Sequence, residues 1–568
     1  MLEGPMTGTL LSSRREFLAG SLAVASRLAA APAIAEGPEV LGTRGVIATE
    51  APEAARAGAR LFQQGGNAFD AAAAAAIAAC MLEPQMVDLG GYVACAVALE
   101  GSTGRVRAID ANSVAPAAAR AGMFQVLPLA AGPRGINENE YGCSVRDNAN
   151  VYGPLAVSVP GTLAGIGVLW ERWGRAKWPA ILAPARELLE RGFEYGGVAD
   201  AIQAREANIR KYEPTVRHLM PDGRVPRRQD KWRRPDMEKT LARLAAAGWR
   251  DLYEGELARR VADFVAAAGG LLSRADLAAF QPRVTAPYET TYRGARIAAA
   301  PLASGGLTVL EILHMLERFE PLGEDDPRHW HRLVEIFKLA WRDRLLYLAD
   351  PDQAPVPVER FLSKDYAAGR VETLRAFPDS VDRLPAPAAA PSPGTVHLSA
   401  ADSEGNLVAI TISNGGWFGS CLTVPGTGII LGHGMCRFDP RPGRPNSVAP
   451  RKRPLNNVCP TILRMPGRDV ACGMRGGRRI LSVVAQISQR LADYGWTGRQ
   501  AVTAPRLHVE MQEPLEVTDS LSAAIVEKLR AMGHAVNPMP KSTLYANAAE
   551  RLSDGRLRAS GDVWAAGV

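Results

Sequence analysis

From Val46 onward the apolar and polar positions follow two rhythms. EAARAGARLFQQGGNAFDAAAAAAIAACMLEP, from Glu53 to Pro84, predicts two Ala-rich helices joined at Gly65-Gly66-Asn67, where Gly suits a helix end and Asn the next start. YVACAVALEGSTGRVRAIDA, from Tyr92, then reads as a hairpin turning at EGSTGR. Residues 161 to 350 are mostly helical in pattern. DMEKTLARLAAAGWRDLYEGELARRVADFVAAAGG, from Asp236, and HRLVEIFKLAWRDRLLYLADP, from His331, both carry apolar residues three and four apart.

The rhythm breaks near residues 351–394, which read as a Pro-rich linker. Its last part, from Pro385 to Gly394, is rich in Ala and Pro and suits no regular hydrogen-bonded structure, because Pro lacks an N–H and fixes φ. From Thr395 the chain becomes strand-like, with TVHLSAA, a turn at DSEGN and LVAITIS. Strands then prevail until GGRRILSVVAQISQRLADYG, which is helical, and the tail ends in short strands. No internal repeat is present. Strands at both ends with helices between them predict a layered α and β protein, its sheets assembled from both halves of the chain.

Composition narrows the class. The 568 residues are 47% hydrophobic and 22% charged with a formal charge of +7, and Lys and Arg are scattered among acids. This is a solvated surface and not a nucleic-acid footprint. No apolar run approaches the ~18–20 residues needed to span a bilayer. Near the start, Arg14-Arg15 precede Phe17-Leu18 and a weakly apolar run, and APAIA closes at Ala35 with small residues. Residues 1–35 therefore read as a twin-arginine signal peptide, implying a periplasmic or secreted product. The seven Cys form no CxxC pair and no metal spacing, and they sit in apolar company as buried thiols do. His329 and His331 are two apart, which on a helix sends them to different faces, so no metal site is expected there.

Several separated segments share one resemblance. GGNAFDAAAAAAIAACMLEP, AVSVPGTLAGIGVLWERWGRAKW, GGLLSRADLAAFQPRV, APLASGGLTVLEIL, GTVHLSAADSEGN, PGTGIILGHGM, RKRPLNNVCPTI, GMRGGRRI and TAPRLH follow in this order. The series resembles the γ-glutamyltransferase family across nearly the whole chain after residue 35. The resemblance implies an N-terminal-nucleophile hydrolase, an α+β protein with a four-layer αββα sandwich. It implies a precursor that cuts itself between Gly394 and Thr395 into 36–394 and 395–568, two chains that stay together as a heterodimer. Gly394 suits a cleavage point that needs close backbone approach and unusual φ and ψ. Thr395 would then carry its nucleophilic hydroxyl beside a free α-amine, whose ordinary pKa of about 7.7–8.0 suits a general base. With the amine in that role, His397 is expected to be structural. The resemblance makes Gly476 and Gly477 the oxyanion hole and Ser413 the hydroxyl that bonds the nucleophile. It implies no cofactor and no metal.

The substrate anchors depart from the family pattern. The family Arg that grips an α-carboxylate falls on Asn112, the acid that pairs with the α-ammonium on Arg437, and two carboxylate-binding Ser on Asn456 and Asn457. A family Asn falls on Gly415, with Asn414 adjacent. The stretch after Phe438 is shorter than in members with a lid loop, which implies a more open site. Arg475 and Arg478, beside the Gly pair, add positive charge. An ammonium facing Arg437 would be repelled. The expectation is a threonine amidohydrolase for a small amide with an anionic or neutral polar acyl group, as in the family's oxamate amidohydrolases and cephalosporin acylases. The alternatives are a glutathione hydrolase or γ-glutamyl transpeptidase with rearranged anchors, and a processed but silent binding protein.

Overall fold

The computed structural model describes Met1 and residues 33–127, 134–135, 141, 143–376, 389–390, 394–541 and 544–568. Thirteen strands join in one antiparallel sheet, and three parts of the chain supply them. The first part gives β1 (Ala35–Gly42), β2 (Gly45–Thr49), β3 (Val93–Glu100) and β4 (Arg105–Asn112). The second gives β5 (Arg283–Thr285), β6 (Tyr288–Tyr292) and β7 (Ala295–Ala299). The third gives β8 (Thr395–Asp402), β9 (Leu407–Ser413), β10 (Thr461–Met465), β11 (Arg468–Met474), β12 (Ala546–Leu552) and β13 (Leu557–Gly567). Their order is β5-β4-β3-β9-β8-β2-β13-β12-β11-β10-β7-β6, and β1 pairs with β13 off this path.

Side-chain alternation turns this sheet into a sandwich. On β9, Val408, Ile410 and Ile412 face helices, while Leu407 and Ala409 face inward with Val97 and Ala401. That inner group packs on Ala471 and Ala549 of β11 and β12, so the two halves of the sheet lie face to face. Helices α1 (Pro52–Gln63), α2 (Ala68–Leu82), α3 (Thr162–Trp173) and α4 (Trp178–Arg191) cover one half. Helices α5 (Gly306–Leu316), α6 (Pro327–Tyr347) and α7 (Arg479–Asp493) cover the other. The layers run αββα.

The Ala-rich helix α2 is buried on nearly every side, which only small side chains allow at close helix-to-sheet distances. Its start is fixed by a reciprocal cap. Asn67 Oδ1 accepts the N–H groups of Phe69 and Asp70, both at 3.0 Å, and Asp70 Oδ2 accepts the Asn67 N–H.

The structure corrects three expectations. The segment read as linker begins with helices at Val358–Phe361 and Lys364–Ala376, because no Pro stands between Pro357 and Pro378 and Phe361, Ala367 and Val371 are buried. Within its Ala/Pro-rich end, Ala389–Ala390 pairs with Arg134–Gly135 in a parallel ladder. The helical middle is interrupted by β5, β6 and β7, where β-branched and aromatic residues replace the helical spacing. Most of the expected signal peptide lies outside the described residues, although Ala35 itself opens β1. The chain divides after Ala33, and all these elements belong to Ile34–Val568. Among the described residues no helix is long and apolar enough to cross a membrane, and all seven Cys are buried.

Candidate active site

Thr395 is buried and is the first residue of β8, which pairs with β9 along its length and with β2 from Ser399 onward. It stands opposite Ser413, the last residue of β9, and their hydroxyl oxygens are 3.1 Å apart. The Ser413 hydroxyl also donates to the Gly394 carbonyl and accepts the Gly415 N–H at 2.8 Å. One serine thus touches the Thr395 hydroxyl, the carbonyl oxygen of the Gly394–Thr395 bond and the backbone beyond. Gly394 is not in the left-handed region. A Cβ there would come within 2.5 Å of Gly416 Cα, so close approach, not an unusual φ, demands glycine at this position.

Ser413→Ala is expected to slow cleavage at Gly394 by about 10²-fold, the cost of losing one donor to a carbonyl that gains charge. Ser413→Thr keeps the hydroxyl and should retain most of the rate. A time course of chain splitting on denaturing gels checks both.

His397 shares the Thr395 face of the strand. Its ring nitrogens meet Thr411 Oγ1 at 2.8 Å and Ser399 Oγ at 3.1 Å, and burial lowers its pKa to about 3. It is a neutral, fully engaged imidazole packed on Gly473 of β11. That contact brings the end of β11, and the Gly476-Gly477 loop after it, to the end of the sandwich where Thr395 sits. Gly477 has φ 61°, which L side chains disfavour. Neither glycine's N–H donates to another described residue, and both lie just ahead of α7.

The other anticipated residues form one bracket. Arg437 donates from Nη2 to the Gly415 carbonyl at 2.6 Å, and its guanidinium lies 5.7 Å from the Tyr92 ring. Its positive charge is therefore two residues from Ser413. The Arg437 carbonyl accepts Asn446 Nδ2 at 2.7 Å, and Asn446 Oδ1 accepts the Leu455 N–H at 3.0 Å. This ties Arg437 to the strap carrying Asn456 and Asn457. Asn112, the last residue of β4, donates to the Pro454 carbonyl of the same strap at 2.6 Å. Arg344 of α6 holds the strap from behind, donating to the Asn456 carbonyl at 2.6 Å and Asn457 Oδ1 at 2.9 Å.

Asn414 braces the floor. Its Oδ1 accepts the Asp88 N–H and its Nδ2 donates to Pro84 O, both at 3.0 Å. Beneath it the buried Arg234 pairs with Asp88 at 2.9 Å and donates to the carbonyls of Cys80, Met81 and Gly428.

The positive charge expected beside the Gly pair is largely matched. Arg478 pairs with Glu510, and Arg475 lies 3.8 Å from Glu83 and over the Tyr545 ring. His331 meets His534 at 2.8 Å, near Glu335, whose carboxylate is taken by Lys338 at 2.6 Å.

Sequence reasoning missed Glu50, His433, Asn446 and Arg344. His433 packs against Gly415, and burial followed by the nearby Arg437 lowers its pKa to about 3. The HGM run and the paired Asn before VCPTI were visible signals for the neighbourhood, but a partner hundreds of residues away leaves no local trace.

A four-layer sandwich with a threonine heading a central strand is the architecture of the N-terminal-nucleophile hydrolases. Residues 54–568 match the family model described as gamma-glutamyltranspeptidase, and the chain belongs to that family. It is 34% identical over 521 residues to the acylase ACY 1 proenzyme of Pseudomonas sp. (strain V22), covering 91% of each chain. It is 30% identical over 525 residues to the glutathione hydrolase proenzyme of Bacillus subtilis (strain 168), covering 88% of this chain and 86% of that one. The crystal structure of cephalosporin acylase from Bacillus halodurans superposes with a TM-score of 0.82 at 27% identity, over 96% of this chain and 99% of that one.

Proposed function

We propose that this enzyme is an exported, self-processing threonine amidohydrolase for acyl groups other than γ-glutamyl. The observation that carries the reading is the Ser413 hydroxyl, set between Thr395 Oγ1 and the Gly394 carbonyl. In the precursor the Thr395 hydroxyl attacks the Gly394 carbonyl carbon. The C–N bond breaks, which frees the Thr395 α-amine as an ester forms on its Oγ1, and water then hydrolyses that ester to release the Gly394 carboxylate and restore the hydroxyl. The mature site repeats the chemistry on an amide. The α-amine takes the hydroxyl proton, Gly476 and Gly477 N–H groups bind the oxyanion, and the leaving amine departs with the proton. Water then frees the acyl group. Residues 36–394 and 395–568 stay joined as a heterodimer, because β8 and β9 of the second lie between β2 and β3 of the first. The Arg14-Arg15 segment directs export.

Specificity follows from charge. Arg437 holds a cation beside Gly415, so a substrate ammonium placed there meets repulsion while a carboxylate or polar acyl group meets a donor. Asn112, Asn456 and Asn457 supply neutral amides around it, while the Asn414 amide is engaged by the backbone at Asp88 and Pro84. The similarity to a glutathione hydrolase makes γ-glutamyl p-nitroanilide the natural comparison. Purified processed enzyme should cleave succinyl, glutaryl and oxamyl-type anilides at least about tenfold faster in kcat/KM than the γ-glutamyl one. A clear preference for γ-glutamyl p-nitroanilide would sink the specificity reading.

A further inference from the structure

The strand that carries Thr395 is covered unevenly. On the β2 side the ladder pairs Ser399 with Ala48, and two residues back along β8 the same register sets Glu50 opposite His397. There the backbone partner gives out, since the chain turns into α1 at Pro52. The Glu50 side chain replaces it, and Oε1 accepts the His397 N–H at 3.4 Å. The Thr395 N–H points to this same edge. Ser413 turns its carbonyl towards β3, where it accepts the Tyr92 N–H at 2.9 Å, so the Thr395–Ser413 pair is a non-hydrogen-bonded one. The Thr395 nitrogen then lies one strand repeat, about 6.8 Å, from the His397 nitrogen.

This corner has too many acceptors. Glu50 Oε2 and Glu83 Oε2 are buried, and neither has a hydrogen-bond partner among the described residues. The charged groups facing Glu50 are Glu83, at the end of α2, and Arg475, just ahead of the Gly pair, while the neighbouring His397 is neutral. Unmatched buried acceptors are costly unless a donor arrives. Cleavage creates one at this edge, an amino group with up to three N–H bonds where the precursor has a single amide N–H.

We propose that Glu50, backed by Glu83, receives the α-amino group that cleavage frees on Thr395 and positions it as the general base. The proposal rests on the self-processing reading. When the Thr395 hydroxyl attacks, its proton passes to the amine, the new C–O bond forms, and the Glu50 carboxylate steadies the ammonium. The ammonium then returns the proton to the leaving amine as the amide C–N bond breaks. Burial, opposed by Arg475 and reinforced by Glu83, raises the Glu50 pKa to about 8 in the uncut chain, and the ammonium that cleavage frees draws it down again by supplying the missing cation.

The test reads the amine directly and needs no substrate. Processed wild type and Glu50→Gln are acetylated with limiting acetic anhydride from pH 5 to 10, and the peptide beginning at Thr395 is quantified by mass spectrometry. Loss of a neighbouring anion destabilises an ammonium, so the Glu50→Gln midpoint should fall by a full pH unit or more, with Glu50→Asp between. A general structural defect would lower labelling without moving the midpoint. Should Glu50→Gln fail to fold or split, Glu83→Gln is read the same way and should shift the midpoint downward by a smaller amount. A midpoint that stays at the wild-type value overturns the role of Glu50. A wild-type chain that remains whole overturns the self-processing reading as well, and a full-length band distinguishes that result at once.

Discussion

Thr395→Ala is expected to remain a single uncut chain and to hydrolyse no amide, whereas wild type should resolve into two chains, the smaller beginning Thr-Val-His-Leu. The substitution removes the only atom in the Gly394–Ser413 cluster able to attack the Gly394 carbonyl and then hold an acyl group. Ser413 cannot replace it, because its hydroxyl already donates to the oxygen of that carbonyl and accepts the Gly415 N–H. Loss of a hydrolase nucleophile typically costs about 10⁶-fold in kcat. Thr395→Ser, which keeps Oγ, should split and turn over. Intact-mass measurement and N-terminal sequencing decide the outcome. A cut at another bond, or splitting of the Ala variant at 394, would assign the chemistry to a different residue.

The largest effect on stability is expected from Arg234→Met. The guanidinium is fully buried and serves Asp88 and three backbone carbonyls, and Asp88 in turn holds Asn414 and the Ile430 N–H. Met approximates the volume but leaves a buried carboxylate and three acceptors unmatched, a loss of about 3–5 kcal/mol. The sign with pH is informative. Burial, only partly offset by Arg234, raises the Asp88 pKa from 3.8 to about 6 in the folded protein. The folded carboxyl therefore holds its proton where the unfolded one has released it. This group favours folding most below pH 4, and its contribution is lost as pH rises through 6. Removing Arg234 lifts the folded pKa further, so the variant should be weakest at neutral and alkaline pH and partly recover near pH 5. Urea midpoints at pH 5 and 8 test this. An equal loss at both would mean that Asp88 is not the group left exposed.

The parts legible in the sequence were those written locally. The Asn67 cap, the hairpin from Val93 to Asn112 and the turn between Asp402 and Leu407 are fixed by residues within a few positions, and they formed where the pattern placed them. Ordered motifs located Thr395 and the loops around it. What the sequence hid depends on distant partners. Nothing near Glu50 shows that its register carries it to His397, and nothing near Asn446 shows that it links Arg437 to Leu455. Asn414 invited a substrate role because it is polar beside the nucleophile, yet its amide is engaged by backbone at Pro84 and Asp88. The helix at Lys364–Ala376 was obscured by the Pro-rich stretches on either side of it.

The hairpin-like meeting of the two ends of the folded unit offers a different route to the same nucleophile. Ala35 is the register partner of Gly567, and the Val568 carbonyl accepts the N–H groups of Thr43 and Arg44 at 2.8 and 2.7 Å. A turn of two or three residues could join Val568 to Ala35 without disturbing either strand. A gene permuted in this way would open at Met-Thr395 and close within the segment after Ala376. Removal of the initiator methionine would then expose the threonine amine during synthesis, and the enzyme would be born mature, its self-cleavage dispensable and its catalysis open to study in variants that never split.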